Sequence, residues 1–153
     1  MRSLELKIPP VAVALAIAIL MWIASALLTE LRIEFPVRSA IAVFLAVAGL
    51  VVVALGVISF RQAKTTVNPM KPDSASSLVV GGIYRITRNP MYLGFLLVLL
   101  GWAVFLSNLF AYALVPVFVI YMHRFQIAPE ERSLEKLFGT EFRAYKAKVR
   151  RWL

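Results

Sequence analysis

The chain has 153 residues, of which 61% are hydrophobic and 16% are charged, and its mean hydropathy is +0.81. Soluble domains have about 45–50% apolar and about 25% charged residues, so this composition excludes a soluble globular enzyme and a disordered chain. Because cysteine is absent, a disulfide scaffold, a thiolate metal site and a cysteine nucleophile are also excluded. The single histidine, His123, argues against a histidine-rich metal cage. We interpret the net charge of +9 as a signal of membrane topology rather than of nucleic-acid binding.

The first apolar block, residues 8–28, contains no charge and would form roughly 31 Å of helix, long enough to span a bilayer. A cleaved secretory signal is the alternative, because Arg2 and Lys7 precede the block and Ala24-Ser25-Ala26 resembles a cleavage site. The apolar stretch is longer than a usual signal core, which favours a retained span.

The second block, residues 39–60, is also uncharged and long enough to span. Small or short side chains recur along it at spacings of three and four: Ala42, Ala46, Gly49, Val53 and Gly56. In lipid such a stripe lets two helices approach closely. We predict that it serves helix packing, and it permits a homodimer without requiring one.

The third block, residues 91–122, is apolar but interrupted by Ser107-Asn108, a turn signal, and it contains Pro116 in its second half. Each arm would measure about 21–24 Å, which is shorter than the hydrocarbon core of about 30 Å. We therefore predict a helical hairpin whose ends extend into the flanking polar segments. One continuous helix is the less favoured alternative, because it would overshoot the membrane.

The distribution of charge orients these spans. The link between the first two blocks sums to zero over Glu30, Arg32, Glu34 and Arg38. The segment between the second and third blocks is basic, with Arg61, Lys64, Lys71, Arg85 and Arg88 against Asp73. The residues after His123 add eight Lys and Arg against four acids. Since positive loops stay in the cytoplasm, both termini are expected there.

The sequence thus predicts an all-α integral membrane protein with four transmembrane segments, two spans plus a helical hairpin. In a bacterium it would reside in the inner membrane. We expect one membrane domain, residues 1–153, divided into spans 8–28 and 39–60, a polar loop 61–90, the hairpin 91–122 and a cytoplasmic tail 123–153.

Polar stretches flank the hairpin, and its two arms bring them to the same membrane face. Asn89-Pro90 predicts a helix start, with Asn as the cap and Pro in the first helical position. A helix N-terminus offers free amide donors to a carboxylate, and Arg88 would add positive charge. Gly81-Gly82 allows a sharp turn or the close approach of a ligand. On spacing alone, a simple cap and turn and a ligand site both remain open.

Pro129-Glu130-Glu131 has the same ambiguity. Proline followed by acids is ordinary helix-start chemistry. Adjacent carboxylates near the membrane face could equally hold an ammonium group or a ribose hydroxyl.

Residues 88–94 read Arg-Asn-Pro-Met-Tyr-Leu-Gly, and residues 130–134, after the hairpin, read Glu-Glu-Arg-Ser-Leu. This joint pattern resembles that of the isoprenylcysteine carboxyl methyltransferases and the related phospholipid methyltransferases, which have Arg-His-Pro-x-Tyr-x-Gly, a hydrophobic hairpin and Glu-Glu-x-x-Leu. Further matching positions are Leu78-Val79, Gly82-Ile83-Tyr84, Phe138-Gly139 and Tyr145. The resemblance covers roughly residues 60–153, and the first two spans match only as generic membrane helices.

The resemblance implies an integral-membrane methyltransferase that uses S-adenosylmethionine, bound in a cytoplasmic pocket. It places the cofactor contacts at Ser76, Ser77, Leu78, Val79, Tyr84, Arg88, Asn89, Pro90, Met91, Tyr92 and Glu130. The chemistry of these residues is consistent with the cofactor that the resemblance implies, because the helix N-terminus suits the methionine carboxylate. Glu130 suits the ammonium group or a ribose hydroxyl.

Two positions depart from the family pattern. Asn89 replaces the histidine; it can cap and donate a hydrogen bond but does not titrate near neutral pH, so we expect it to bind rather than act as a base. Gln126 stands where the carboxyl methyltransferases have the arginine that holds the substrate carboxylate. Arg124 could substitute only if its side chain reaches the same cavity. Gln126 in this position weighs against a prenylcysteine carboxylate as the acceptor.

An activated sulfonium needs alignment and exclusion of water, and neither a metal nor a covalent nucleophile. We expect a lipophilic or lipidated acceptor to enter from the bilayer. Candidates for a catalytic role are Arg124, Glu131, His123 and Tyr92. A prenylated protein, a phospholipid amine and a small hydrophobic thiol or acid all remain open as acceptors.

The tail has apolar residues at helical spacing among basic ones: Phe142, Tyr145, Val149 and Trp152. This pattern predicts an interfacial amphipathic helix attracted to anionic lipid, not a nucleic-acid-binding segment. Two other functions compete with the enzyme. A transporter is disfavoured because the apolar blocks lack an ionisable residue, and a non-enzymatic membrane interaction protein would be favoured only if the cofactor failed to bind. Sterol reductases share part of the motif but resemble a much longer chain.

Overall fold

The computed structural model describes residues 5–33, 36–64, 70 and 75–153. Within these ranges the chain is helical and contains no β-strand, so the predicted all-α class is confirmed. The α-helices are α1 (Pro10–Leu27), α2 (Arg38–Gln62), α3 (Pro90–Leu106), α4 (Leu109–Met122) and α5 (Ala128–Lys148). Short 3₁₀ turns cover Thr29–Leu31 and Gly82–Arg85, and a π-helical turn, His123–Ile127, joins α4 to α5. Three charges used in the topology argument, at Glu34, Lys71 and Asp73, lie outside the described residues.

Three helices are long and apolar enough to cross a membrane. They are α1, α2 and the helical segment Leu109–Lys148, which has a kink at Gly139 (φ 47°), whereas α3 is apolar but shorter. Large apolar side chains such as Leu15, Trp22 and Phe44 are more than half exposed. Exposure of so much apolar surface is expected for helices that face lipid. The two predicted long spans are therefore confirmed as helices, with ends within two residues of those predicted.

The hairpin turn lies at the predicted position. Ser107 adopts a left-handed conformation (φ 50°), which ends α3. Asn108 then caps α4, because its Oδ1 accepts a hydrogen bond from Phe110 N at 2.9 Å. The second arm extends beyond the apolar block through the π-helical turn into α5, as predicted, whereas the first begins directly at Pro90.

Contacts at the two ends of the molecule fix the helix directions. At one end the link after α1 meets the hairpin turn, where Ile33 N donates to Ser107 O at 2.7 Å and Asn108 Nδ2 donates to Leu28 O at 2.7 Å. At the other end Gln126 Nε2 donates to Ile8 O at 2.6 Å. Helices α1 to α4 therefore run alternately up and down.

A proline explains the docking of the N-terminal residues. Pro129 has no N–H, so it cannot donate to the carbonyl of Phe125 four residues earlier. Leu6 N donates to Phe125 O at 3.0 Å instead of the missing N–H of Pro129. The segment before α1 thus satisfies a backbone acceptor at the junction of α4 and α5.

Helices α2 and α3 pack antiparallel at very short range. A Cβ atom on Gly94 would lie 2.6 Å from Gly49 O, and one on Gly101 would lie 2.8 Å from Ala42 O. The small residues of α2 therefore pack against α3 of the same chain, and the prediction that the stripe serves packing is confirmed. This contact also sets the start of α3 beside the end of α2.

The predicted membrane-facing stripe in the tail is wrong. Helix α5 ends at Lys148, and Val149 is extended (φ −121°, ψ 132°), so Val149 and Trp152 lie beyond the helix. Phe142 and Tyr145 are only 2% and 9% exposed. Both side chains face the interior, where Tyr145 Oη donates a hydrogen bond to Tyr84 O in the segment before α3.

The glycine contact leads to a prediction about stability. Gly94→Ala would place a methyl group against the backbone of α2, and overpacking of this kind costs about 1–3 kcal/mol. We expect a lower thermal midpoint for the detergent-solubilised variant.

Gly81→Ala is the matched control, because a Cβ at Gly81 meets nothing within 4 Å. Equal midpoints for the two variants would contradict the proposed close packing of α2 and α3.

Candidate active site

A cavity of about 670 Å³, including its open mouth, lies where α2 ends and α3 and α5 begin. The segment before α3 contributes six of the predicted contacts: Ser77, Leu78, Val79, Tyr84, Arg88 and Asn89. Helix α3 contributes Met91 and Tyr92, and α5 contributes Glu130. Tyr92 and Glu130, which are 38 positions apart in the sequence, therefore meet at this site.

Other residues named from the sequence lie away from the cavity. Ser76 is exposed and its Oγ contacts Lys64 O at 3.5 Å, and Pro90 is buried at the start of α3 without lining the cavity. His123 and Arg124 are exposed on the π-helical turn, and neither lines the cavity.

Gln126, which stands in place of the family arginine, is also not at the cavity. It is fully buried, and its side-chain amide donates to the backbone of Ile8. The residue therefore ties α1 to the junction of α4 and α5.

A tight turn positions Tyr84. Gly82 has φ +58°, and a Cβ there would lie 2.8 Å from Ser59 Oγ, so the turn fits against α2 only with glycine. The ring of Tyr84 meets Phe60 edge-to-face with a centroid distance of 5.4 Å. The backbone oxygen of Tyr84 accepts a hydrogen bond from Tyr145 Oη at 2.7 Å. The turn is thus held by α2 on one side and α5 on the other.

The start of α3 has the predicted position but not the predicted cap. Asn89 occupies the N-cap position and Pro90 the first helical position, yet no side chain caps the helix. The Asn89 side chain instead donates through Nδ2 to Arg151 O at 2.8 Å. The predicted capping role of Asn89 is wrong: a cap would require its Oδ1 to accept from a first-turn N–H, and the hydrogen bond from Nδ2 to Arg151 O holds the side chain in a different orientation. The first-turn amides of α3 therefore keep their capacity to bind an acceptor.

Glu130 lies in the first turn of α5, beyond the apolar residues of α4. Tyr92 Oη donates to both of its carboxyl oxygens, at 3.0 Å each. Burial raises the pKa of Glu130 to about 8; the hydrogen bond from Tyr92 opposes this shift, and the charge of Glu131 adds to it. Glu130 therefore holds its proton at neutral pH in the unliganded protein.

Glu131 has a different environment. Its Oε1 accepts from Arg88 Nη2 at 2.9 Å and from Arg151 Nε at 3.0 Å, and its Oε2 accepts from Arg151 Nη2. Burial alone would raise the pKa of Glu131, but the hydrogen bonds and charges of Arg151 and Arg88, together with Lys146, lower it. Glu131 is therefore an ionised partner of two arginines and a poor proton acceptor.

Arg88 connects this cluster to the end of α5. Its Nη1 donates to Lys146 O at 3.0 Å and to Val149 O at 3.1 Å. Its Nε is buried and has no hydrogen-bond partner in the described part of the chain. Because Arg88 also lines the cavity, this unsatisfied donor marks a place where a ligand acceptor would be favourable.

Sequence reasoning did not assign several side chains to this site. Phe60 and Phe142 line it, but each looks like an ordinary apolar position of a helix. Leu134 and Tyr145 also line the cavity, and their match to the family pattern was a signal of this role. Arg151 reaches Glu131 from a basic stretch whose spacing gives no such indication.

Comparisons with known proteins identify relatives of this chain. The chain is 30% identical over 139 residues to the probable protein-S-isoprenylcysteine O-methyltransferase of Oryza sativa subsp. japonica, covering 89% of this chain and 71% of the relative. It is 37% identical over 67 residues to methanethiol S-methyltransferase 1 of Bradyrhizobium diazoefficiens, covering 44% of this chain and 22% of the relative. An uncharacterized protein of Haemophilus influenzae is 52% identical over 63 residues, which are 41% of this chain and the whole of that protein.

No solved structure matches the chain. The phospholipid methyltransferase family matches residues 37–141, which include α2, the hairpin and the first half of α5. The chain therefore belongs to the phospholipid methyltransferase family.

Proposed function

We propose that this membrane methyltransferase transfers the methyl group of S-adenosylmethionine to a lipophilic acceptor, and that the cavity at the start of α3 binds the methyl donor. The observation that carries the proposal is the meeting of Arg88, Tyr92 and Glu130 around one cavity. Family membership supplies the reaction class, and the cavity supplies a place for the donor.

The lining fits the donor chemically. The first-turn amides of α3 and the unpaired Nε of Arg88 suit a carboxylate. Glu130 suits the ammonium group or ribose hydroxyls, since it forms no ion pair among the described residues. Phe60 and Phe142 offer apolar surface to an adenine ring. S-adenosylmethionine would supply an electrophilic methyl group, which needs no metal for activation.

The protein's contribution is then alignment and exclusion of water. The turn at Gly82 and the hydrogen bond from Tyr145 to Tyr84 fix one wall of the cavity. Tyr92 holds Glu130 on the opposite wall. Neither His123 nor Arg124 lines the cavity, so neither is assigned a part in the reaction.

The structure around Gln126 weighs against a carboxylate acceptor. The side-chain amide of Gln126 donates to Ile8 O, away from the cavity. Arg88 donates to Glu131 and to two backbone carbonyls, and its one unpaired nitrogen, Nε, is assigned to the methionine carboxylate of the donor. We therefore favour an uncharged lipophilic acceptor with a free lone pair, such as a neutral amine, over a prenylcysteine carboxylate. Such an acceptor would enter from the bilayer between the helices.

We also propose four transmembrane segments, α1 to α4, with the cavity and both termini in the cytoplasm. The alternating directions of α1 to α4 support this number of crossings. The basic residues beside the cavity, including Arg61, Lys64 and Arg85, support the orientation. The charged face of α5 would then lie along the cytoplasmic surface of the membrane.

Binding of S-adenosylhomocysteine tests the site. We expect Glu130→Gln to weaken binding about tenfold or more, because a hydrogen bond to a charged group contributes about 1.5–3 kcal/mol. Calorimetric titration of the detergent-solubilised protein measures this change. Glu141→Gln, an exposed acid on the same helix, should bind within about twofold of wild type. Equal affinities for wild type and Glu130→Gln would contradict the site assignment.

The ionisation of Glu130 makes binding dependent on pH. Because its pKa of about 8 leaves it protonated at pH 7, an ammonium ligand should displace that proton. Affinity should therefore rise as pH increases from about 6 to 8. Titrations at pH 7 in buffers of different ionisation enthalpy should show proton release, and Glu130→Gln should show none. Affinity that falls over this range would contradict the proposed role of Glu130.

The absence of native cysteine allows a direct test of topology. Single cysteines at Glu30, in the link after α1, and at Lys136, on α5, are exposed positions for labelling. A membrane-impermeant maleimide should label the first variant in intact cells and the second only after lysis. Labelling of both positions in intact cells would contradict the four-span orientation.

A further inference from the structure

The chain segment after α5 contacts the cavity wall in a way that neither the family motif nor the proposed donor contacts explain. We call residues 149–153 the tail segment. It is not helical, and Val149 has an extended backbone, so its backbone carbonyls are free to accept hydrogen bonds from other segments. Its Trp152 packs against the hydrophobic core. The tail segment is therefore anchored and does not simply extend from the helix.

The carbonyls of the tail segment are used by the residues directly before α3. Arg88 N donates to Arg150 O at 3.0 Å, Thr87 Oγ1 donates to Arg151 O at 3.2 Å, and Asn89 Nδ2 donates to the same oxygen at 2.8 Å. Arg88 Nη1 also reaches Val149 O. Residues 87–89 are not helical, so these bonds satisfy donors that have no helical partner.

The side chain of Arg151 makes a second connection. It binds both oxygens of Glu131, which also binds Arg88. Arg151 therefore joins α5 to the segment that leads into α3, and both segments line the cavity. The carboxylate of Glu131 is 12% exposed, so this cluster is shielded from solvent more than a surface ion pair is.

We propose that the tail segment is part of the methyl-donor site and that Arg151 is a positioning residue, which holds Glu131 and Arg88 so that the start of α3 and Glu130 face the ligand together. This inference rests on the proposed function, because it assigns the role to the same cavity. Arg151 does not line the cavity, so it acts through Glu131 and Arg88.

The test compares two neighbouring arginines. Arg151→Gln removes the contacts to Glu131, whereas Arg150→Gln removes the same charge from an exposed side chain and leaves its backbone carbonyl in place. We expect Arg151→Gln to raise the Kd of S-adenosylhomocysteine about tenfold and Arg150→Gln to change it less than about twofold. Arg151→Lys should recover part of the loss, because it keeps a donor and a charge.

A double variant separates positioning from a general loss of stability. If Arg151 acts through Glu131, adding Arg151→Gln to Glu131→Gln should weaken binding no further than Glu131→Gln alone. Additive losses would overturn the inference, as would wild-type affinity in folded Arg151→Gln, or equal losses in the Arg150 and Arg151 variants. Wild-type protein that does not bind the ligand would instead refute the proposed function.

Ligand protection of the tail segment provides a readout that needs no variant. Because coupling between sites is reciprocal, saturating S-adenosylhomocysteine should slow trypsin cleavage after Arg150 in the wild-type protein at least about threefold. Mass spectrometry of the released peptide measures the rate. Cleavage after Arg32, an exposed residue in the link after α1 at the other end of the molecule, serves as the internal control, and an unchanged rate at Arg150 in ligand-bound protein would overturn the inference.

Discussion

The carboxylate of Glu131, held between the guanidinium groups of Arg88 and Arg151, is the interaction on which the architecture of the site depends. It joins the segment before α3, the first turn of α5 and the end of the chain, which are far apart in sequence. A shielded carboxylate that lost its arginines would be strongly unfavourable. Separating Glu131 from Arg88 and Arg151 would therefore cost free energy, and this pairing holds the three segments together.

This pairing gives the two adjacent acids different properties. Glu131 is paired with two arginines, whereas within the described part of the chain Glu130 accepts hydrogen bonds only from the Tyr92 hydroxyl, and burial raises its pKa to about 8. Glu131 thus stabilises the structure of the site, whereas the protonation of Glu130 can change when a cationic ligand binds. The close contact of α2 with α3 through Gly94 completes the arrangement, because it fixes Tyr92 relative to the end of α2.

Local signals in the sequence predicted the elements that depend on local chemistry. The apolar blocks predicted the long helices, Ser107-Asn108 predicted the hairpin turn, and Pro90 predicted the first position of α3. The joint motif also indicated which polar stretches would meet. Each of these features is determined by residues within a few positions of one another or by a pattern specific enough to be matched.

The remaining features depend on contacts between distant segments. In isolation Asn89 Oδ1 would accept a hydrogen bond from the first turn of its own helix, but the bond from Nδ2 to Arg151 O orients the side chain toward the tail segment. Spacing alone gave Glu130 and Glu131 the same possible roles, and only the positions of the arginines distinguish them. Similarly, the apolar periodicity of the tail predicted a lipid-facing stripe, whereas Phe142 and Tyr145 face the cavity. Periodicity identifies an apolar face but not what covers it.

The central claim is that the cavity at the start of α3 binds the methyl donor. Ultraviolet crosslinking of radiolabelled S-adenosylmethionine to the purified protein, followed by peptide mapping, tests it most directly. The account predicts label in residues 75–92 or 130–145 that excess S-adenosylhomocysteine removes. Label confined to α1 and the first half of α2, or label that S-adenosylhomocysteine does not remove, would contradict it.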